Sequence, residues 1–197
     1  MKSFFFGRQR HQLQRNLLRW CAVATILPII SACGSGAFGL KTPPPRCPEV
    51  LLLKHANSVT YFKPGPGRDI TDVLATAAIV DFRGECEYNR KRTKVNIVLN
   101  VEFDVRRGPA DRTKATDFRY FVAIPKFHPA PQGKSIFPMR AQFRGNQTRL
   151  NLLDEVRLEI PMPPFPKVDD YTIYMGIQLT PQQLEYNRLH ANRTLRR

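Results

Sequence analysis

Between Lys94 and Arg106 the chain reads KVNIVLNVEFDVR, and every odd position is apolar: Val95, Ile97, Leu99, Val101, Phe103 and Val105. Of the even positions only Val98 is apolar. A period of two is the signature of a long strand with one face in a core and the other in water. A helix would spread these six residues around its whole circumference, so a helical reading fails.

Leu74 to Tyr88 is the expected hairpin partner, with Val80, Phe82, Cys86 and Tyr88 sharing the inward parity. The polar connection Asn89-Arg90-Lys91-Arg92-Thr93 has the length of a hairpin loop. Further strands are predicted at Val50–Leu53, Ser58–Phe62, Asp117–Ile124, Ser135–Phe143, Val156–Ile160 and Tyr171–Leu179. Proline and glycine punctuate the gaps: KPGPG at 63–67, RGPAD at 107–111, HPAPQG at 128–133 and PMPPFP at 161–166. Seven or eight short strands without helical crossovers predict an all-β fold, an antiparallel β-sandwich. An immunoglobulin-like topology is the expectation from pattern alone, although the sole Trp20 lies outside the strands. A closed barrel is the alternative. Thr180-Pro181-Gln182-Gln183 is a helix start, with Thr as cap and Gln three residues on. A short helix to about Leu189 should follow, then a frayed basic tail from His190.

The N-terminus carries a different kind of signal. A basic stretch from Met1 to Arg19 precedes an apolar run, Trp20 to Ile30. As a helix that run would rise roughly 16 Å, about half of a bilayer's hydrocarbon core, and Pro28 interrupts it. The run ends in Ile30-Ser31-Ala32-Cys33. This resembles the lipobox of bacterial lipoproteins: an aliphatic residue, two small residues, then Cys. The resemblance covers only this segment. It implies that Cys33 receives a diacylglycerol and that a signal peptidase cuts just before it. Gly34 follows, without the Asp that the lipoprotein sorting rule associates with inner-membrane retention, so the implied address is the outer membrane, facing the periplasm. Two or three acyl chains hold a protein durably. The expected organisation is a signal peptide at 1–32, the lipidated Cys and a Gly/Pro tether at 33–46, the sandwich at 47–180, and the helix and tail at 181–197. Thirteen tether residues, GSGAFGLKTPPPR, reach at most roughly 45 Å.

Export bears on charge and on cysteine. The first 32 residues hold five of the 31 basic residues and none of the 16 acids, so the remainder keeps +10 of the formal +15. Outside the cytoplasm such a surplus meets lipid phosphates, lipopolysaccharide or cell-wall carboxylates rather than nucleic acid. Cys21 falls in the apolar run and Cys33 in the lipobox. That leaves Cys47 and Cys86, which should form a disulfide in an oxidising compartment. A loop of about 40 residues closed this way is worth roughly 4 kcal/mol in the chain-entropy model.

Candidate chemistry is sparse. His55, His128 and His190 are scattered with no metal-ligand spacing. No cofactor or metal is expected. Asp154-Glu155 and Asp169-Asp170 read as solvated loop acids, since strand neighbours point to opposite faces. KPGPG is a turn and not a phosphate cradle, because Pro64 and Pro66 lack the N–H groups a phosphate needs. Basic clusters stand out: Arg90, Lys91, Arg92 and Lys94 around the hairpin tip, and Arg106, Arg107, Arg112 and Lys114 at its other end. Either could touch lipid phosphates, at about 1 kcal/mol per basic group; equally, such charges keep turns soluble and guard strand edges. The expected function is a non-catalytic binding or assembly module held to the membrane by its lipid. Its partner would be an envelope protein or an anionic envelope component. The rivals are an envelope hydrolase, which would need a pocket of converging polar groups, and a small-ligand carrier, which would need a large apolar cavity.

Overall fold

A computed structural model describes residues 45–163 and 167–194. Eight strands run in chain order: β1 (Val50–Leu52), β2 (Ser58–Phe62), β3 (Val73–Tyr88), β4 (Lys94–Arg107), β5 (Ala115–Ala123), β6 (Lys134–Gln142), β7 (Arg149–Pro161) and β8 (Ile173–Ile177). One helix, α1 (Pro181–Thr194), closes the described chain. The strands form two four-stranded sheets, ordered β1-β8-β5-β6 and β2-β3-β4-β7. Every pairing is antiparallel except β1 with β8. The fold is the predicted all-β sandwich with a short C-terminal helix. Its order has a character of its own: the immunoglobulin plan sets ABED against CFG, whereas here three consecutive strands, β2-β3-β4, stay in one sheet.

The alternating strand behaves as its period requires. All six odd residues of β4 are buried at 3% exposure or less. They meet Phe118, Tyr120 and Val122 of β5 and Ile173, Met175 and Ile177 of β8 in one core cluster. The Phe103 ring lies 5.3 Å from Phe118 and 5.0 Å from Tyr120. The space between the sheets is thus filled with side chains, as a close-packed interior demands.

β3 departs from its predicted parity. Ala75, Ala77 and Ile79 are buried, then Phe82, Cys86 and Tyr88 pack against the core from the even positions. The cause is a bulge: the register with β4 shifts between Ile79 and Asp81. One extra residue reverses the faces beyond it. Val80 sits at the switch and is 52% exposed, not inward as its parity with Phe82 suggested.

β7 begins at Arg149, earlier than its apolar run at Val156, so Asp154-Glu155 lies in a strand and not in a loop. The two carboxylates do point apart. Asp154 accepts a hydrogen bond from the buried Tyr120 hydroxyl, while Glu155 meets Arg157 on the outer face. Burial pushes the Tyr120 phenol well up, and the Asp154 acceptor adds to it. At the start of α1 the Thr180 hydroxyl accepts from the Gln183 amide, and the Gln183 side chain accepts from the Thr180 amide. The helix runs on to Thr194, so His190 is helical and not frayed. Its ring stacks on Tyr186 at 3.8 Å. The Asn187 amide donates to the carbonyls of His55 and Ser58, which fastens the helix over the start of β2.

Candidate functional site

The chain enters the fold beside the tip of the β3–β4 hairpin. Cys47 and Cys86 form a disulfide, with Cα atoms 5.8 Å apart, inside the range that a bridge allows. Two residues on from Cys86, the Tyr88 hydroxyl donates to the Arg46 carbonyl at 2.7 Å. Burial pushes the Tyr88 phenol up, so the hydroxyl keeps the proton it donates. Pro48 is buried just before β1. The entry is therefore held by a covalent bond and a hydrogen bond to one strand, within three residues of the turn.

The turn itself is built by Asn89. Its side-chain oxygen accepts from the amides of Thr93 at 2.8 Å and Lys94 at 3.3 Å, and its side-chain nitrogen donates to the Thr93 hydroxyl at 3.0 Å. The Arg92 amide donates to the Asn89 carbonyl, with Arg92 in the left-handed region at φ 54°. Asn is suited to such a turn because its short amide bonds the backbone directly. Arg90 and Lys91 are carried at the apex, exposed and without a partner among the described residues. Lys94 is different: its ammonium meets Glu159 of β7 at 2.7 Å. The predicted cluster thus divides into apical cations and one cross-strand ion pair.

The opposite end of the hairpin pairs its cations with acids of its own. Arg106 and Arg149 stand directly opposite in the β4–β7 ladder, a like-charge pair that would repel. Asp104 resolves it, taking Arg106 on one oxygen and Arg149 on the other. Although it points away from the core, Asp104 is only 6% exposed. Burial alone would raise its pKa, but the hydrogen bonds from Arg149 and Arg106 outweigh that and hold the carboxyl low. Asp111 organises the next loop in the same way. It accepts from the Thr113 hydroxyl, the amides of Thr113 and Lys114, and the Arg107 guanidinium at 2.8 Å. These bonds again prevail over burial and hold its carboxyl low. Lys114 donates to the Gly145 carbonyl. Gly108 lies so close to the Val73 carbonyl that a Cβ would collide with it. Of the four predicted basic residues here, Arg112 alone is left exposed without a partner among the described residues.

Other candidates do not converge. His55 lies in the turn after β1, His128 after a short 3-10 turn, and His190 in α1. In KPGPG the Arg68 guanidinium takes the carbonyls of Gly65 and Gly67, as befits a turn. Asp169 and Asp170 sit on a 3-10 turn, with Asp170 paired to Lys126. Cys33, the apolar run and residues 34–44 lie outside the described residues.

Two features escape sequence reasoning. Arg46 joins the tip through a contact 42 residues away in sequence, and nothing local announces it. On the outer face of the β1-β8-β5-β6 sheet, Leu51 pairs with Tyr174 and Phe121 with Ile136. Leu51 and Ile136 are 37% and 48% exposed, and the Lys134 ammonium stands 4.5 Å over the Phe121 ring. Nothing local in the sequence announces their assembly across four strands. Comparison with family models, with curated proteins and with solved structures finds no match.

Proposed function

We propose that this chain is a lipid-anchored protein of the bacterial envelope, and that its sandwich is a binding or assembly module for an envelope protein or an anionic envelope component. The observation that carries the reading is the bridged entry. A disulfide suits a chain that meets oxidants outside the cytoplasm, and its position suits a domain that is held from its N-terminal side. The lipobox-like Ile30-Ser31-Ala32-Cys33 supplies the anchor in this reading. The strip of Leu51, Phe121, Ile136 and Tyr174 supplies an apolar surface, with Lys134 standing over Phe121, on which a partner can dock.

The test begins at Cys33. Mass spectrometry of the mature wild-type chain should find acyl chains on the Cys33 residue, and Cys33→Ser should abolish both acylation and detergent partitioning. A variant that still carries acyl chains would overturn the anchor. For the module, cross-linking in intact envelopes should capture neighbours that are lost in Ile136→Asp, a 48% exposed site, the variant's folding being checked by circular dichroism. An unaltered cross-linking pattern would remove the strip from the proposal.

A further inference from the structure

We infer that the sandwich stands on the membrane on its hairpin tip, with Arg46, Arg90 and Lys91 against the phosphates of anionic lipid headgroups; this rests on the anchoring proposed above. The argument is one of reach. Thirteen residues separate Cys33 from the fold's entry, and fully extended they span at most roughly 45 Å. The fourteen residues of β4 are themselves roughly 45 Å long. Were the Asp104 and Asp111 end to face the bilayer, the entry would sit a full strand length above it, and the tether would have to be drawn out completely. With the tip down, the same reach is more than enough.

The charges at the two ends agree with that orientation. At the tip, Arg90 and Lys91 are exposed without partners among the described residues, and Arg46 is exposed beside them. At the other end Arg106, Arg149 and Arg107 close on Asp104 and Asp111, and Arg112 is the one predicted cation left exposed without a partner among the described residues. A basic group near an anionic surface adds roughly fivefold to partition, so three give on the order of a hundredfold. The effect fades beyond a Debye length, about 8 Å at physiological salt, which only an apical group satisfies. The Asn89 network holds the turn in one form, so little order is lost on contact.

Limited trypsin digestion of the full mature chain in liposomes tests this. Cleavage after Arg90, Lys91 or Arg92 is compared with cleavage after Arg112 or Lys114. On vesicles containing phosphatidylglycerol at low salt, tip cleavage should slow at least roughly tenfold relative to the loop. The protection should vanish on pure phosphatidylcholine and at high salt. Should the tip resist trypsin even in detergent, amide hydrogen exchange of residues 90–92 is read instead, with the same outcomes. Equal rates at tip and loop, protection of the loop instead, or equal protection on neutral vesicles would each overturn the inference. So would protection that appears only when other envelope proteins are present. Failure of the anchor shows separately, as a chain without acyl mass that does not float with neutral vesicles.

Discussion

The two ends of the β3–β4 hairpin are both rich in arginine and lysine, yet they use those residues in opposite ways. At the tip a disulfide and an asparagine hold the backbone, and Arg90 and Lys91 are left to solvent. At the other end the backbone is held by the charges themselves, with Asp104 and Asp111 buried among guanidinium groups and amides. A basic cluster therefore has no meaning by itself. What decides its role is whether an acid lies within reach in the folded chain. Where one does, the cations stabilise the fold; where none does, they remain available to an outside anion.

The contrast can be broken most forcefully at the disulfide. Cys47→Ser with Cys86→Ser should lower unfolding free energy by about 4 kcal/mol, read as a fall in urea midpoint. Dithiothreitol should do the same to the wild type and nothing to the variant. A smaller loss comes from Asp111→Ala, which strands the half-buried Arg107 and two backbone amides. Urea unfolding should show about 2–3 kcal/mol of destabilisation, whereas Arg112→Ala in the same loop should show less than about 0.5 kcal/mol.

Acid sharpens the comparison further. The carboxyls of Asp104 and Asp111 are held low in the folded chain. Their contribution is fully present above the unfolded aspartate value, about 3.9, and is lost as pH falls through the folded values. The urea midpoint should thus fall steeply below roughly pH 4, and Asp104→Asn should flatten that slope. The disulfide variant should keep it, because no titrating group is removed. The smallest effect belongs to the tip: Arg90→Gln with Lys91→Gln should change stability by less than about 0.5 kcal/mol. A larger loss would mean that these cations do hold the fold, and the contrast would collapse.

Much of this is legible in the sequence. The six odd residues of β4 gave their own burial, because alternation over that length has one physical solution. The hairpin followed from it, and the bridge between Cys47 and Cys86 from elimination, once Cys21 and Cys33 had been assigned elsewhere. Val80 was misplaced because a bulge leaves no mark in composition: one extra residue changes the faces while the apolar count stays the same. The clamps at Asp104 and Asp111 were hidden for a different reason. Arg149 reaches Asp104 from a strand 45 residues away, and periodicity speaks only of which face a residue takes, not of who stands opposite. The helix runs past its expected end at Leu189 to Thr194, and the His190 ring stacks on Tyr186 across that point, a side-chain contact that capping signals do not contain.

The parallel pair of β1 with β8 carries a consequence in time. Val50 lies beside Ile173, so the first strand has no partner until nearly the whole chain has been delivered. Closing so distant a contact is entropically late. β1 should therefore be the last strand to join and the first to leave when the fold opens. The Leu53 amide, bonded to the Met175 carbonyl, should accordingly exchange its hydrogen sooner than the amides at the centre of β4. Oxidation changes that schedule. Once Cys47 meets Cys86, the waiting strand is moored to a hairpin that forms early, and the search for β8 shrinks from a whole chain's length to the distance between two neighbouring sheets.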